Sequence, residues 1–256
     1  MDRLDNVIVT LGLVSTRNKG QYEIENGNVL VNGEVVTKAS KKVSLEDNIT
    51  IKDRFDYVSK GALKLLKAKD VFNIDFNNKT MLDIGSSTGG FSDVALRNNI
   101  KKVIAVDVGT NQFDSVLKQD KRVELHEGTD IRSIILTEEI DMVTIDISFI
   151  SVLKIVDKIN EINPKEIVLL IKPQFECGKD IADKYKGVPL DKEVHYNVIN
   201  NVIDSFKKIG YNIQNLTYSP IKGGSGNIEY LAYFKKKENI SIDIKKVIED
   251  GFNNFK

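Results

Sequence analysis

Near the start of the chain, Leu4, Val7, Ile8 and Leu11 share one helical face, which predicts an amphipathic helix over 2–11 that Gly12 ends. Ser15 or Thr16 can cap a second helix over 16–25, stopped by Asn26-Gly27. The period then changes. In 28-NVLVNGEVV-36 two β-branched runs flank Asn32-Gly33, a strong hairpin signal. A basic run, 38-KASKK-42, and a strand near 48–52 complete a small unit over 1–52. A joining segment, 53–78, contains a helical stretch over 59–72 with lysines at 60, 64, 67 and 69. Lys67 and Lys69 read as a solvated helix face.

From residue 80 the pattern alternates. Apolar runs predict strands at 80–84, 102–107, 122–126, 141–146, 166–172, 211–218 and 228–235. Amphipathic stretches predict helices at 89–98, 111–119, 151–161 and 192–209. That order implies a mostly parallel sheet covered on both faces. No helix separates the last two strands, so they form an antiparallel pair. Beyond Lys235 the chain is a charged tail with a weak helical period.

Composition changes this picture little. The 256 residues are 41% hydrophobic and 29% charged, ordinary for a soluble globular protein. Lys+Arg and Asp+Glu both number 37, so a nucleic-acid partner requires positive groups segregated on one face. One cysteine, Cys177, allows no intramolecular disulfide, and with only His126 and His195 beside it no zinc site is expected. No apolar stretch is long enough to span a bilayer, and the N-terminus has no signal-peptide pattern. A cytoplasmic monomer with no membrane contact is the default expectation.

The candidate chemistry begins at 83-DIGSSTGG-90, a strand that breaks into a glycine loop ahead of a helix. Glycines at 85, 89 and 90 have the wrong spacing for a dinucleotide fingerprint. Asp83 would repel a pyrophosphate but suits a ligand carrying an ammonium or sulfonium charge. Asp107 ends the next strand, where a carboxylate can accept both ribose hydroxyls, and Asp130 follows the third, where it can accept from an adenine amino group. Three acids at successive strand ends fit S-adenosylmethionine.

The fourth strand ends in 143-VTIDISFIS-151, which lacks the prolines expected of an enzyme that methylates base amino groups and the cysteine expected of a cytosine-C5 enzyme. The fifth ends in 167-IVLLIKPQFE-176, where Lys172 closes an apolar run. A lysine there is costly unless paired, which makes it a candidate base for a ribose hydroxyl. Glu229 opens the last strand, on the same edge of the sheet.

The segments 57-YVSKGALKL-65, 82-LDIGSSTGGFSD-93, 104-IAVDVG-109, 143-VTIDISFIS-151, 171-IKPQFE-176 and 222-KGGSGNIEYL-231 together resemble the TlyA family of ribosomal-RNA ribose methyltransferases, also labelled hemolysin A. The part over 79–256 is similar to the wider FtsJ-like enzymes. The resemblance implies a Rossmann-like α/β methyltransferase sheet preceded by a small α+β RNA-binding domain of ribosomal small-subunit protein type. It implies 2′-O-methylation of cytidine in rRNA, on subunits or assembled ribosomes, by Lys64, Asp146, Lys172 and Glu229. It places S-adenosylmethionine on Asp83, Gly85, Ser86, Ser87, Thr88, Gly89, Gly90 and Phe91, with Asp107, Val108, Asp130, Ile131 and Asp146. It assigns RNA contact to Arg3, Arg17, Lys19, Lys38, Lys41, Lys42 and Lys60. The second helix departs from the family in having Gln21 and Tyr22 where Lys or Arg is usual, with Glu23 and Glu25 following, so weaker RNA contact is expected there. Two other readings stay open: a membrane-active hemolysin, and a non-catalytic rRNA-binding assembly factor.

Overall fold

The structure, a computed structural model, describes residues 1–14, 16–52 and 56–255. The possible cap Ser15 and the start of the joining segment lie outside the described residues. The chain divides into two compact units, Met1–Asp56 and Tyr57–Lys256.

The first unit runs β1 (Asp2–Arg3), α1 (Leu4–Thr10), α2 (Arg17–Glu25), β2 (Val29–Val31), β3 (Glu34–Val35), β4 (Lys42–Val43) and β5 (Ile49–Ile51). Thr16 caps α2, its side chain accepting from the Lys19 amide at 3.2 Å. The β2–β3 hairpin turns on Asn32 and Gly33, both at positive φ, as a two-residue turn of this twist demands. β2 also pairs with β5, and β1 with β4. Leu4, Ile8, Ile24 and Val29 are fully buried at the centre of this unit's own core.

The second unit begins with α3 (Ala62–Phe72) and continues β6 (Thr80–Ile84), α4 (Gly90–Arg97), β7 (Lys102–Val106), β8 (Val123–His126), β9 (Met142–Ile145), α5 (Val156–Ile162), β10 (Glu166–Ile171), α6 (Pro173–Glu176), α7 (Lys179–Lys184), α8 (Lys192–Lys208), β11 (Asn212–Tyr218), β12 (Tyr230–Lys235) and α9 (Ile244–Asn254). Its seven strands lie in the order β11-β12-β10-β9-β6-β7-β8. β12 is antiparallel to both neighbours, and the other pairs are parallel. Every residue of β6 and of β10 is buried, as expected of strands covered on both faces. β6 is flanked by β7 on one side and β9 on the other. The connections therefore reverse direction there, and a crevice opens outside the carboxyl ends of β6 and β9.

The helix expected over 111–119 is a loop with one 3-10 turn, Leu117–Gln119. Asn111 is left-handed (φ 59°), and the amides of Gln112 and Phe113 donate to the Glu127 carboxylate instead of to helical carbonyls. The stretch expected as one helix over 151–161 is a 3-10 turn, Val152–Ile155, followed by α5. In the tail, α9 lays Ile248 and neighbouring apolar side chains against the main core.

Candidate active site

Sheet topology brings the four charged residues together. β12 runs antiparallel to β10 with Ile171 opposite Tyr230, so Lys172 and Glu229 leave neighbouring strands side by side. β9 runs parallel on the other flank of β10, which sets Asp146 next to them. Lys64 comes from α3. Its Nζ lies 2.8 Å from Glu229 Oε2 and 3.6 Å from Asp146 Oδ2, while Lys172 Nζ lies 2.5 Å from Asp146 Oδ1. The result is an alternating row, Glu229–Lys64–Asp146–Lys172, whose formal charges cancel.

The row is nearly dry: Asp146, the most open member, has a side chain 19% exposed. Burial works against the Lys64 ammonium, but Asp146 and Glu229 together outweigh it and its pKa is raised. Removing four charges from water costs more than such pairs usually return in stability. An arrangement of this kind is better explained by chemistry than by folding.

Two residues beside the row carry roles that composition did not signal. Lys172 donates to Ser148 Oγ at 2.8 Å, and Gln174 Nε2 donates to Glu229 Oε1 at 3.1 Å. Both sat in the quoted strand-end motifs, but nothing in their type distinguished them. Backbone also closes in on the row. A Cβ at Gly223 would fall 2.1 Å from Glu229 Oε1, and one at Gly85, where φ is +79°, would fall 2.5 Å from the Asp146 carbonyl oxygen. Only glycine fits at 85, and a side chain at 223 would displace the Glu229 carboxylate.

Two hollows open at the crevice. The larger, about 420 Å³, is lined by Gly85, Ser87, Asp107, Val108, Asp130, Ile131 and Asp146, together with Ile147, Phe149 and Ile155. The smaller, about 190 Å³, is lined by Ser59, Gly61, Gly85, Ser86, Ser87, Thr88, Gly90, Phe91 and Asp146. Asp107 accepts from the Ser87 and Gly109 amides, each at 2.7 Å, which fixes its carboxylate at the mouth of the larger hollow. Asp130 is clamped by Arg132, which holds its carboxyl well below the usual range. Ser86 Oγ is buried with no hydrogen-bond partner among the described residues. An adenosine-sized hollow bearing acids, and a recess with an unanswered hydroxyl, fit the nucleoside and amino-acid ends of S-adenosylmethionine.

Two residues expected to touch that ligand line neither hollow. Asp83 is fully buried, and its carboxylate accepts from Ser92 Oγ at 2.7 Å and Thr144 Oγ1 at 2.8 Å. Burial pushes its pKa up to about 6, against the pull of those hydrogen bonds. Gly89 is the N-cap of α4 and faces Leu117 and Phe113.

In the first unit, Arg3 and Arg17 grip the buried Asp5, with Gln21 as a third donor at 2.8 Å. The Arg3 guanidinium and its companions hold the Asp5 carboxyl far below its ordinary range. Gln21 therefore completes a clamp instead of facing a ligand, and Glu23 is buried against Asn28, so it adds no negative charge to the surface. Arg17, Lys38, Lys41 and Lys42 are exposed, Arg3 and Lys19 are partly so, and Lys60, in the second unit, is exposed.

The FtsJ-like methyltransferase family matches residues 57–236, and the S4 domain family matches residues 2–49. Hemolysin A of Brachyspira hyodysenteriae is 42% identical, over 91% of this chain and 99% of its own length. The 23S rRNA (cytidine-2′-O)-methyltransferase TlyA of Campylobacter jejuni is 37% identical, over 86% of this chain and 94% of its own. A solved structure from Streptococcus thermophilus, of a protein assigned to the hemolysins, superposes with a TM-score of 0.76 at 35% identity, covering 99% of this chain and 96% of its own.

Proposed function

The chain belongs to the TlyA branch of the FtsJ-like methyltransferases, and from that premise we propose that it methylates the 2′-hydroxyl of cytidine ribose in ribosomal RNA, using S-adenosylmethionine. The observation that carries the reading is the buried row of alternating charges beside the paired hollows.

When bound, S-adenosylmethionine supplies a methyl group on a positively charged sulfur. Asp107 and Asp130 would hold its nucleoside end, and Ser86 with the 85–90 loop its amino-acid end. The chain's own task is to bring a ribose oxygen into line and manage its proton. Lys172 is the residue placed to do this. Asp146 and Ser148 take up two of its three N–H directions, leaving one for the incoming hydroxyl. As an ammonium it steers the oxygen and steadies developing negative charge; having released its own proton it accepts the hydroxyl's. Lys64, anchored by Glu229, keeps Asp146 fixed in either state.

Phe149 supports a nucleotide substrate. The residue is 89% exposed, its φ is +69°, and its ring sits 5.5 Å from that of Phe175. A bulky residue rarely adopts that backbone, and such strain collects at functional positions. An open aromatic face at the rim of the site suits stacking of an unpaired base. The first unit, an S4 domain like that of ribosomal protein uS4, would dock structured rRNA through phosphate contacts by Arg17, Lys38, Lys41 and Lys42.

The test is transfer of labelled methyl from S-adenosylmethionine to ribosomal subunits. Lys172→Ala is expected to lower the rate by about 100-fold or more while the protein still binds the cosubstrate. Undiminished transfer by this variant would remove Lys172 from the mechanism.

A further inference from the structure

The charged tail and two lysines of the second unit are not used by the mechanism above, yet they meet. Lys67 follows Lys64 by one turn of α3, and its Nζ sits 3.2 Å from the centroid of the Tyr218 ring. Tyr218 meets Phe255 edge-on at 6.5 Å. Lys222 Nζ lies 5.4 Å over Phe255 and donates to its carbonyl at 3.3 Å. Phe255 is carried there by α9, which gives the tail a place in this patch.

Elsewhere in this unit Lys79, Lys102, Lys118, Lys158 and Lys165 each form an ion pair with a carboxylate. Lys67 and Lys222 have none among the described residues. Burial without a compensating anion pushes Lys67 down to about 8, a penalty that a bound phosphate would relieve. The patch also adjoins the catalytic row. Ser219, next to Tyr218, donates its amide to the Glu229 carbonyl at 2.8 Å. Gly223, next to Lys222, packs on the Glu229 carboxylate.

We propose that Lys67 and Lys222, seated on Tyr218 and Phe255, bind backbone phosphates of the RNA strand flanking the methylated nucleotide. The proposal rests on the rRNA reading above. Lysines resting on rings lose less freedom when an anion arrives than lysines free in solvent. Phosphates lie within one nucleotide of the reacting ribose, so a polyanionic strand leaving the site would meet this patch.

The full chain is compared with Lys67→Gln/Lys222→Gln and Lys67→Arg/Lys222→Arg double variants, using ribosomal subunits at several salt concentrations. The Gln variant should raise KM for subunits about 10-fold at unchanged kcat and S-adenosylmethionine affinity. It should also flatten the slope of log affinity against log salt by about 1.5, for two phosphates at roughly 0.7–0.9 each. The Arg variant should keep the wild-type slope. If the Gln double variant fails to fold, Lys222→Gln alone, at an exposed position, should remove about half of the slope change. An unchanged slope and KM, or weaker binding at an unchanged slope, would overturn the proposal. Wild-type protein that neither binds nor methylates subunits would instead sink the functional reading on which it rests.

Discussion

Asp83 and Asp146 stand at the ends of adjacent strands and do opposite work. Asp146 meets two ammonium groups, whereas Asp83 turns inward to two hydroxyls. Because Asp83 is fully buried and its pKa rises to about 6, the folded state binds its proton more tightly than the unfolded chain does. It therefore lowers stability as pH climbs from about 4 to about 6, with no further change above. Asp83→Asn should remove that slope in urea unfolding at pH 4.5 and pH 7 while leaving S-adenosylmethionine affinity within a few-fold. Loss of cosubstrate binding in a folded variant would return Asp83 to the ligand. Sequence alone located this acid at a strand end, but its direction depends on Ser92 and Thr144, the latter 61 residues away. Phe149→Ala should raise KM for ribosomal substrate about 10-fold, the scale of one base–aromatic stack. An unchanged KM would mean that the exposed ring touches no RNA. Lys172 stood out because a charge closing an apolar run is anomalous, and Glu229 by its place at the start of the last strand, whereas Lys64 was reached only through the family resemblance. Ser148 and Gln174 were not, since Ser and Gln at strand ends are commonplace.

Among the elements, the strands were the most readable. β6 reads as an apolar run with turn residues after it, and it occupies 80–84 as expected. The antiparallel placement of β12 followed from the missing helix before it, and that placement brings Glu229 to Lys172. The stretch 111–119 misled because apolar spacing suggests a helix without saying where the amides go. Here two of them go to Glu127, a residue 14 or 15 positions away. α9 was faint for a related reason: only half of a charged sequence carries its apolar stripe. Its anchor, Ile248, is 2% exposed. Ile248→Ala should cost about 2–4 kcal/mol of unfolding free energy, and chemical denaturation would measure it. A loss under about 0.5 kcal/mol would mean that the helix adds nothing to the core.

At the scale of the whole molecule, a formal charge of zero conceals segregation. Lys38, Lys41 and Lys42 cluster on the S4 unit, while the second unit pairs many of its lysines with carboxylates. Changing all three clustered lysines to Glu should weaken subunit binding at least 10-fold without altering S-adenosylmethionine affinity, as a filter-binding assay in parallel with calorimetry would register. Equal binding would assign docking to the catalytic unit alone. Bulk charge gave no sign of an RNA partner, and the run 38-KASKK-42 took on that meaning only through the resemblance to a ribosomal-protein-type domain.

The most direct test of the account is to map ribose methylation in rRNA after incubation of ribosomal subunits with S-adenosylmethionine and either the wild-type chain or Lys172→Ala. The wild-type chain should add a 2′-O-methyl group to cytidine, and the variant, still folded and still binding the cosubstrate, should add it about 100-fold more slowly or worse. Methylation on a base, or equal ribose methylation by both proteins, would contradict it.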